Sequence, residues 1–117
     1  LAKLSPPVVL PRRADFLRLA RGIKIARPGF VLQAAEGTQA APLRVGYTAT
    51  KKLGNAVARN RARRRLREAA RLTLGPQGLT GLELVLICRQ ETANVPFATL
   101  CDELARAVAS VAPRVAR

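Results

Sequence analysis

Histidine is absent from the 117 residues, and acidic side chains are scarce, with seven Asp and Glu against twenty-one Lys and Arg. General acid–base catalysis by a protein side chain wants a histidine or paired carboxylates in one pocket. Here Asp15, Glu36, Glu68, Glu83, Glu91, Asp102 and Glu103 are scattered, and only the last two are adjacent. Neighbours along a helix do not face one site, so a two-metal hydrolytic cluster is not expected. The two cysteines, Cys88 and Cys101, are too few for a disulfide framework, and no histidine completes a zinc site with them. Free, structural thiols in a reducing compartment are expected instead. No metal ligand set is expected in the protein. Aromatics make up only 3% of the chain, so the core must come from Leu, Val, Ile and Ala, which the 49% hydrophobic content allows. No apolar run approaches the roughly 20 residues of a membrane span. Leu1 to Pro11 carries Pro6, Pro7 and Pro11 and lacks a signal peptide's continuous apolar stretch. The cytoplasm is the expected location.

What is present is positive charge. The formal balance is +14 and the pI is near 11.7. Such a surface repels itself unless a polyanion neutralises it, and nucleic acid is the commonest such partner, with anionic lipid second. Only Lys3, Lys24, Lys51 and Lys52 are lysine. The planar fork of arginine suits phosphate and base edges better than lysine's point charge, which favours nucleic acid. The length fits one domain over residues 1–117.

Along the chain, residues 1–10 are rich in proline and should be extended or polyproline-like. Arg12 to Arg21 reads as a short helix with Phe16, Leu19 and Ala20 on one face, ended by Gly22. Gly22 to Glu36 reads as two strands around a Pro28-Gly29 turn, with Ile23, Ile25, Phe30 and Leu32 as the inward set. Gly37 to Pro42 is a small-residue loop. Leu43, Val45, Tyr47 and Ala49 alternate with polar or small residues as in a half-buried strand. Asn55 to Thr73 is helical through Ala58, Ala62, Leu66, Ala69 and Thr73, and Gly75-Pro76-Gln77-Gly78 stops it. Leu82 to Cys88 is nearly continuous Leu, Val and Ile, the pattern of a strand covered on both faces. Pro96 to Val111 is again helical through Phe97, Leu100, Leu104, Val108 and Val111. The predicted order is αβββαβα, an α+β layer of helices on a sheet.

Lys51 to Arg71 bears the chemistry. On a helix, Arg59, Arg63 and Arg67 form one i, i+4, i+8 ridge. Asn60, Arg64 and Arg71 stand beside it, and Arg61 and Arg65 flank the other edge. Seven arginines face one acid, Glu68, between Arg59 and Arg71. Like charges at i, i+4 destabilise a free helix, so stability alone does not explain the arrangement. A plainly solvated face would mix signs, and a membrane-surface helix would need large apolar side chains opposite the charges. The opposite face is mostly alanine, which fits a neighbouring sheet. Lys51 and Lys52 precede a tight Gly54-Asn55 turn into the helix, where backbone N–H groups favour phosphate.

Leu43-Arg44-Val45-Gly46, Thr50-Lys51-Lys52-Leu53-Gly54-Asn55-Ala56-Val57 and Arg59-Asn60-Arg61, followed by Arg63, Arg64 and Arg67, closely resemble the signature of the bacterial ribonuclease P protein component. The resemblance extends from about Leu10 to Val111. It implies a ribosomal protein S5 domain 2-like αβββαβα fold with a left-handed βαβ crossover through the arginine-rich helix. It also implies a protein subunit serving a large catalytic RNA, with the RNA and its bound Mg²⁺ hydrolysing precursor tRNA to make the mature 5′ end. On this resemblance Lys51, Lys52, Asn55, Arg59, Asn60, Arg61, Arg63, Arg64 and Arg67 contact the catalytic RNA. The resemblance further implies a cleft between the first helix and the sheet that holds the single-stranded 5′ leader, with Arg12, Phe16 and Phe30 at the matching positions.

The chain departs from that pattern in places. Ala20 stands where a second aromatic is common, Gln33 or Ala34 where another is, and Arg65 where an apolar residue is usual. Phe16 and Phe30 could equally be plain core, and Tyr47, Cys88 and Cys101 are expected to be structural. A non-enzymic RNA binder such as a ribosomal protein or assembly factor shares the charge and the layout but gives no reason for the Lys-Lys-x-Gly-Asn and Arg-Asn-Arg combination. A standalone nuclease is a second rival. No DNA or membrane partner is expected.

Overall fold

The computed structural model describes residues 8–9, 13–37 and 41–115. Its elements are β1 (Val8–Val9), α1 (Arg13–Leu19), β2 (Ile23–Arg27), β3 (Phe30–Glu36), β4 (Arg44–Thr48), α2 (Ala56–Thr73), β5 (Leu82–Cys88) and α3 (Phe97–Val115). The αβββαβα order is therefore present, preceded by one short strand. Val8 and Val9 pair in parallel with Arg44 and Val45, where only an extended or polyproline-like chain was expected. Two β-branched residues can bond to an open strand edge in a way the flanking prolines cannot.

The sheet order is β1-β4-β5-β3-β2. β2, β3 and β5 are antiparallel neighbours, whereas β4 and β5 are parallel and are connected through α2. β5 lies in the middle, which is why six of its seven residues are buried and why it reads as an unbroken apolar run. The chain turns from α1 into β2 at Gly22, where a Cβ would stand 2.1 Å from the Ala34 carbonyl oxygen. No other residue fits that approach.

Strand alternation sorts the core into two layers. Phe30, Leu32 and Ala34 of β3, Leu84, Leu86 and Cys88 of β5 and Val45 of β4 pack together with Ala62, Leu66, Ala69 and Ala70 of α2 and Leu100, Leu104, Ala107, Val108 and Val111 of α3. The second layer holds Val85 and Leu19, with Phe16, Ala35 and Ile87 partly buried against them. α1 thus docks on the sheet through Leu19 and Phe16, and Ala20 is exposed. Each buried Leu, Val or Phe contributes about 1.5–3 kcal/mol relative to exposure.

This sorting corrects one sequence-based site residue. Phe30 is wholly inaccessible, and its even-numbered neighbours Leu32 and Ala34 share its layer, away from α1. A ring enclosed there cannot stack on a leader base. Ala34 is core for the same reason, while Gln33 is half-buried on the alternate set. Arg12 lies outside the described residues.

One carboxylate is buried among the described residues. Glu83 of β5 is 4% exposed. Its Oε2 accepts from Arg44 Nη1 of β4 at 3.0 Å, and its Oε1 pairs with Arg18 of α1. A buried charge is tolerable only when paired and hydrogen-bonded, and this one ties α1 to β4 across β5.

Candidate nucleic-acid interface

The strand β4 leads into a single 3-10 turn, Lys51–Leu53, on which Lys51 and Lys52 are both exposed. Gly54 follows at φ 131°, a region that favours glycine. Asn55 then caps α2, its side-chain oxygen accepting from the Ala58 N–H at 2.9 Å. The cap is the role the structure displays for Asn55.

The helix has two faces, as its spacing predicts. Ala62, Leu66, Ala69 and Ala70 are buried, with Ala58 and Thr73 half-buried at its ends. Small residues on that face let the backbone lie close to β4 and β5. Among the arginines, Arg61, Arg64 and Arg67 are exposed, as is Asn60, while Arg59 and Arg63 are half-buried.

Arg59, Arg63, Arg67 and Arg71 have different surroundings. Arg63 donates to the Asn60 side-chain oxygen one turn back. The Arg67 guanidinium lies over the Tyr47 ring, 5.3 Å from its centroid. Arg59 keeps a buried Nε with no hydrogen-bond partner among the described residues. Arg71, by contrast, is neutralised, its Nε donating to Glu68 Oε1 at 2.6 Å and Oε2 at 3.2 Å. The hydrogen bond from Arg71 holds the Glu68 carboxyl below its ordinary range.

Arg65 turns inward. Its Nη2 donates to the Val95 carbonyl at 2.6 Å, its Nη1 donates to the Thr92 carbonyl, and its guanidinium sits 5.9 Å from the Phe97 ring centroid. Thr92 is itself buried, its hydroxyl donating to the Gly29 carbonyl at 2.7 Å and accepting from the Arg89 N–H at 2.7 Å. Arg65 therefore fastens α2 to the start of α3 and, through Thr92, to the β2–β3 turn. This accounts for a charge where the resemblance implied an apolar residue: the stem packs while the fork satisfies two carbonyls.

Burial pushes the Tyr47 phenol up to about 12 against the opposing pull of Arg67. Burial also pushes the Cys88 thiol up to about 11 and raises that of Cys101. Both cysteines are free. Among the described residues no three His, Cys, Asp or Glu side chains are grouped to hold a metal, and no helix is long and apolar enough to cross a membrane.

The structure thus brings together Lys51, Lys52, Arg59, Asn60, Arg61, Arg63, Arg64 and Arg67 on one turn and one helix. Phe16 lies apart with α1, half-buried against the second core layer. The Tyr47 ring beneath Arg67 was missed by sequence reasoning, since no local spacing rule joins a strand residue to one on the following helix.

The ribonuclease P family model matches residues 4–112. The chain belongs to the ribonuclease P protein family. It is 51% identical over 98 residues to the ribonuclease P protein component of Gluconacetobacter diazotrophicus, spanning 83% of this chain and 84% of that one. It is 50% identical over 103 residues to the component from Ruegeria pomeroyi, covering 86% and 82% of the two chains. The fold agrees as well. The ribonuclease P protein of Staphylococcus aureus superposes with a TM-score of 0.73 at 25% identity, covering 89% of this chain and 94% of that one. That of Thermotoga maritima gives 0.70 at 27% identity, covering 84% and 92%. As a ribonuclease P protein component, the chain is a subunit of an endoribonuclease that processes tRNA.

Membership makes the inward turn of Arg65 testable. Arg65→Ala leaves the Thr92 and Val95 carbonyls without their donor and is expected to destabilise the ribonuclease P protein by about 1–3 kcal/mol. The salt dependence of RNA binding by the folded variant should match wild type. Chemical denaturation checks the first expectation, and a salt titration checks the second.

Proposed function

We propose that the subunit assembles with the catalytic RNA of ribonuclease P through the exposed face of α2 and the Lys51–Lys52 turn. The hydrolysis belongs to the RNA and the Mg²⁺ it holds, in the cytoplasm. One observation carries this reading. Arg59, Arg61, Arg63, Arg64 and Arg67 share one helix, and among the described residues none of the five has a carboxylate partner. Five guanidiniums without counter-charge repel one another in the free protein, and RNA phosphates relieve that repulsion while releasing counterions.

Four of the protein's seven carboxylates are committed elsewhere. Glu68, Glu83, Asp102 and Glu103 are engaged by Arg71, by Arg18 and Arg44, by Arg106 and by Arg27. None of these four is poised as a general base. The subunit's contribution is to neutralise phosphates where RNA strands crowd and to extend the grip on precursor tRNA to its 5′ leader. The leader lies beside α1, where Phe16 is the remaining aromatic; Arg12, the basic residue the resemblance assigns to the leader, immediately precedes that helix in sequence. Base stacking on an aromatic is worth about 1–3 kcal/mol per base. With Ala20 and Gln33 where relatives often carry rings, leader binding here leans more on charge.

Reconstitution tests the whole reading. Pure protein incubated with precursor tRNA and Mg²⁺ should cleave nothing, whereas adding it to the catalytic RNA at low Mg²⁺ should promote 5′ cleavage. Cleavage by the protein alone would assign it a nuclease site. No effect on the RNA-catalysed reaction would make it a general RNA binder.

A further inference from the structure

The ridge arginines raise a question of order. An exposed arginine has many rotamers, and gripping a phosphate forces it into one, at a cost that weakens binding. A side chain already held in place in the free protein loses less. A carboxylate would hold it well but would cancel its charge, as Glu68 does for Arg71.

Tyr47 holds without cancelling. Its ring packs against the main core from β4, so it is fixed. Its other surface lies beneath the Arg67 guanidinium at 5.3 Å, inside the range of about 6 Å in which a cation is drawn to an aromatic face. The phenol, raised by burial, stays neutral at any physiological pH. The Asn60 amide oxygen does the same for Arg63 one turn earlier. Both holders are uncharged, so both arginines keep their full charge for a ligand.

We infer that Tyr47 is a positioning residue for RNA binding, its ring holding the Arg67 guanidinium in place so that it meets a phosphate already oriented and fully charged. The inference rests on the assignment of α2 to the catalytic RNA.

The test is a mutant cycle in the full-length protein, read as affinity for a transcript of the catalytic RNA, with thermal melts to confirm folding. Tyr47→Leu should weaken binding about 2–5-fold, the scale of one cation–π contact. Tyr47→Phe, which keeps the ring, should bind as wild type does. In an Arg67→Ala background, Tyr47→Leu should cost nothing further. Equal losses for Tyr47→Phe and Tyr47→Leu would overturn the inference, as would a Tyr47→Leu loss that persists without Arg67. If Arg67→Ala is harmless while Arg61→Ala and Arg64→Ala are not, the inference falls and the assignment of α2 stands. If all three are harmless, the assignment itself is lost. Should Tyr47→Leu fail to fold, the Arg67 Nε–H resonance of the free wild-type and Tyr47→Phe proteins decides: an upfield ring-current shift in both supports the holding interaction, and its absence overturns it.

Discussion

Replacing Arg61 and Arg64 together by alanine is expected to lower affinity for the catalytic RNA about 100-fold, taking each charged hydrogen bond removed as about 1.5 kcal/mol. Both side chains are exposed and neither residue belongs to the core. Alanine is the better helix former, and removing two like charges eases repulsion along α2. The melting temperature should therefore hold or rise while binding falls. The salt dependence should fall with it, the slope of log affinity against log salt becoming shallower by about 2, one unit for each phosphate no longer gripped. Filter binding or fluorescence anisotropy over a salt series measures both. A stable double variant that binds as wild type does would remove these arginines from the interface.

Phe30→Ala should act oppositely. Emptying a fully buried aromatic site costs about 3–5 kcal/mol, a large share of the roughly 5–15 kcal/mol that holds a typical domain together. Denaturant unfolding should show that loss directly. At a temperature where the variant is still folded, its preference for leader-bearing over leaderless substrate should match wild type, because Phe30 faces α3 and not the α1 side. Phe16→Ala should reduce that preference. A stable Phe30→Ala variant that loses leader discrimination would return Phe30 to the substrate site.

Much of the fold was readable because its signals are local. The Pro28-Gly29 turn, the unbroken apolar run of β5 and the alanine spacing of α2 each follow from a few neighbouring residues. The short strand β1 was not readable, since two valines among prolines carry no period, and only the open edge of β4 makes them a strand. The side of the sheet on which Phe30 lies depends on which helices cover which face, and sequence alternation does not contain that. Arg65 shows the same limit. A helical wheel places it on the flank beside Arg61, but its direction is set by the Thr92 and Val95 carbonyls, far along the chain. The basic cluster itself was legible as a whole, since one helix and one turn hold all of it. What remained hidden was how each arginine is held.

That the uncompensated arginines of α2 grip RNA through its phosphates is tested most directly by one quantity. It is the affinity of the wild-type protein for the catalytic RNA across a salt series at constant Mg²⁺. Five arginines of α2 and the two lysines before it, each neutralising one phosphate, predict a log–log slope of about −5 to −6, from roughly 0.7 to 0.9 for each. A slope near zero, with tight binding unchanged from low to high salt, would contradict it.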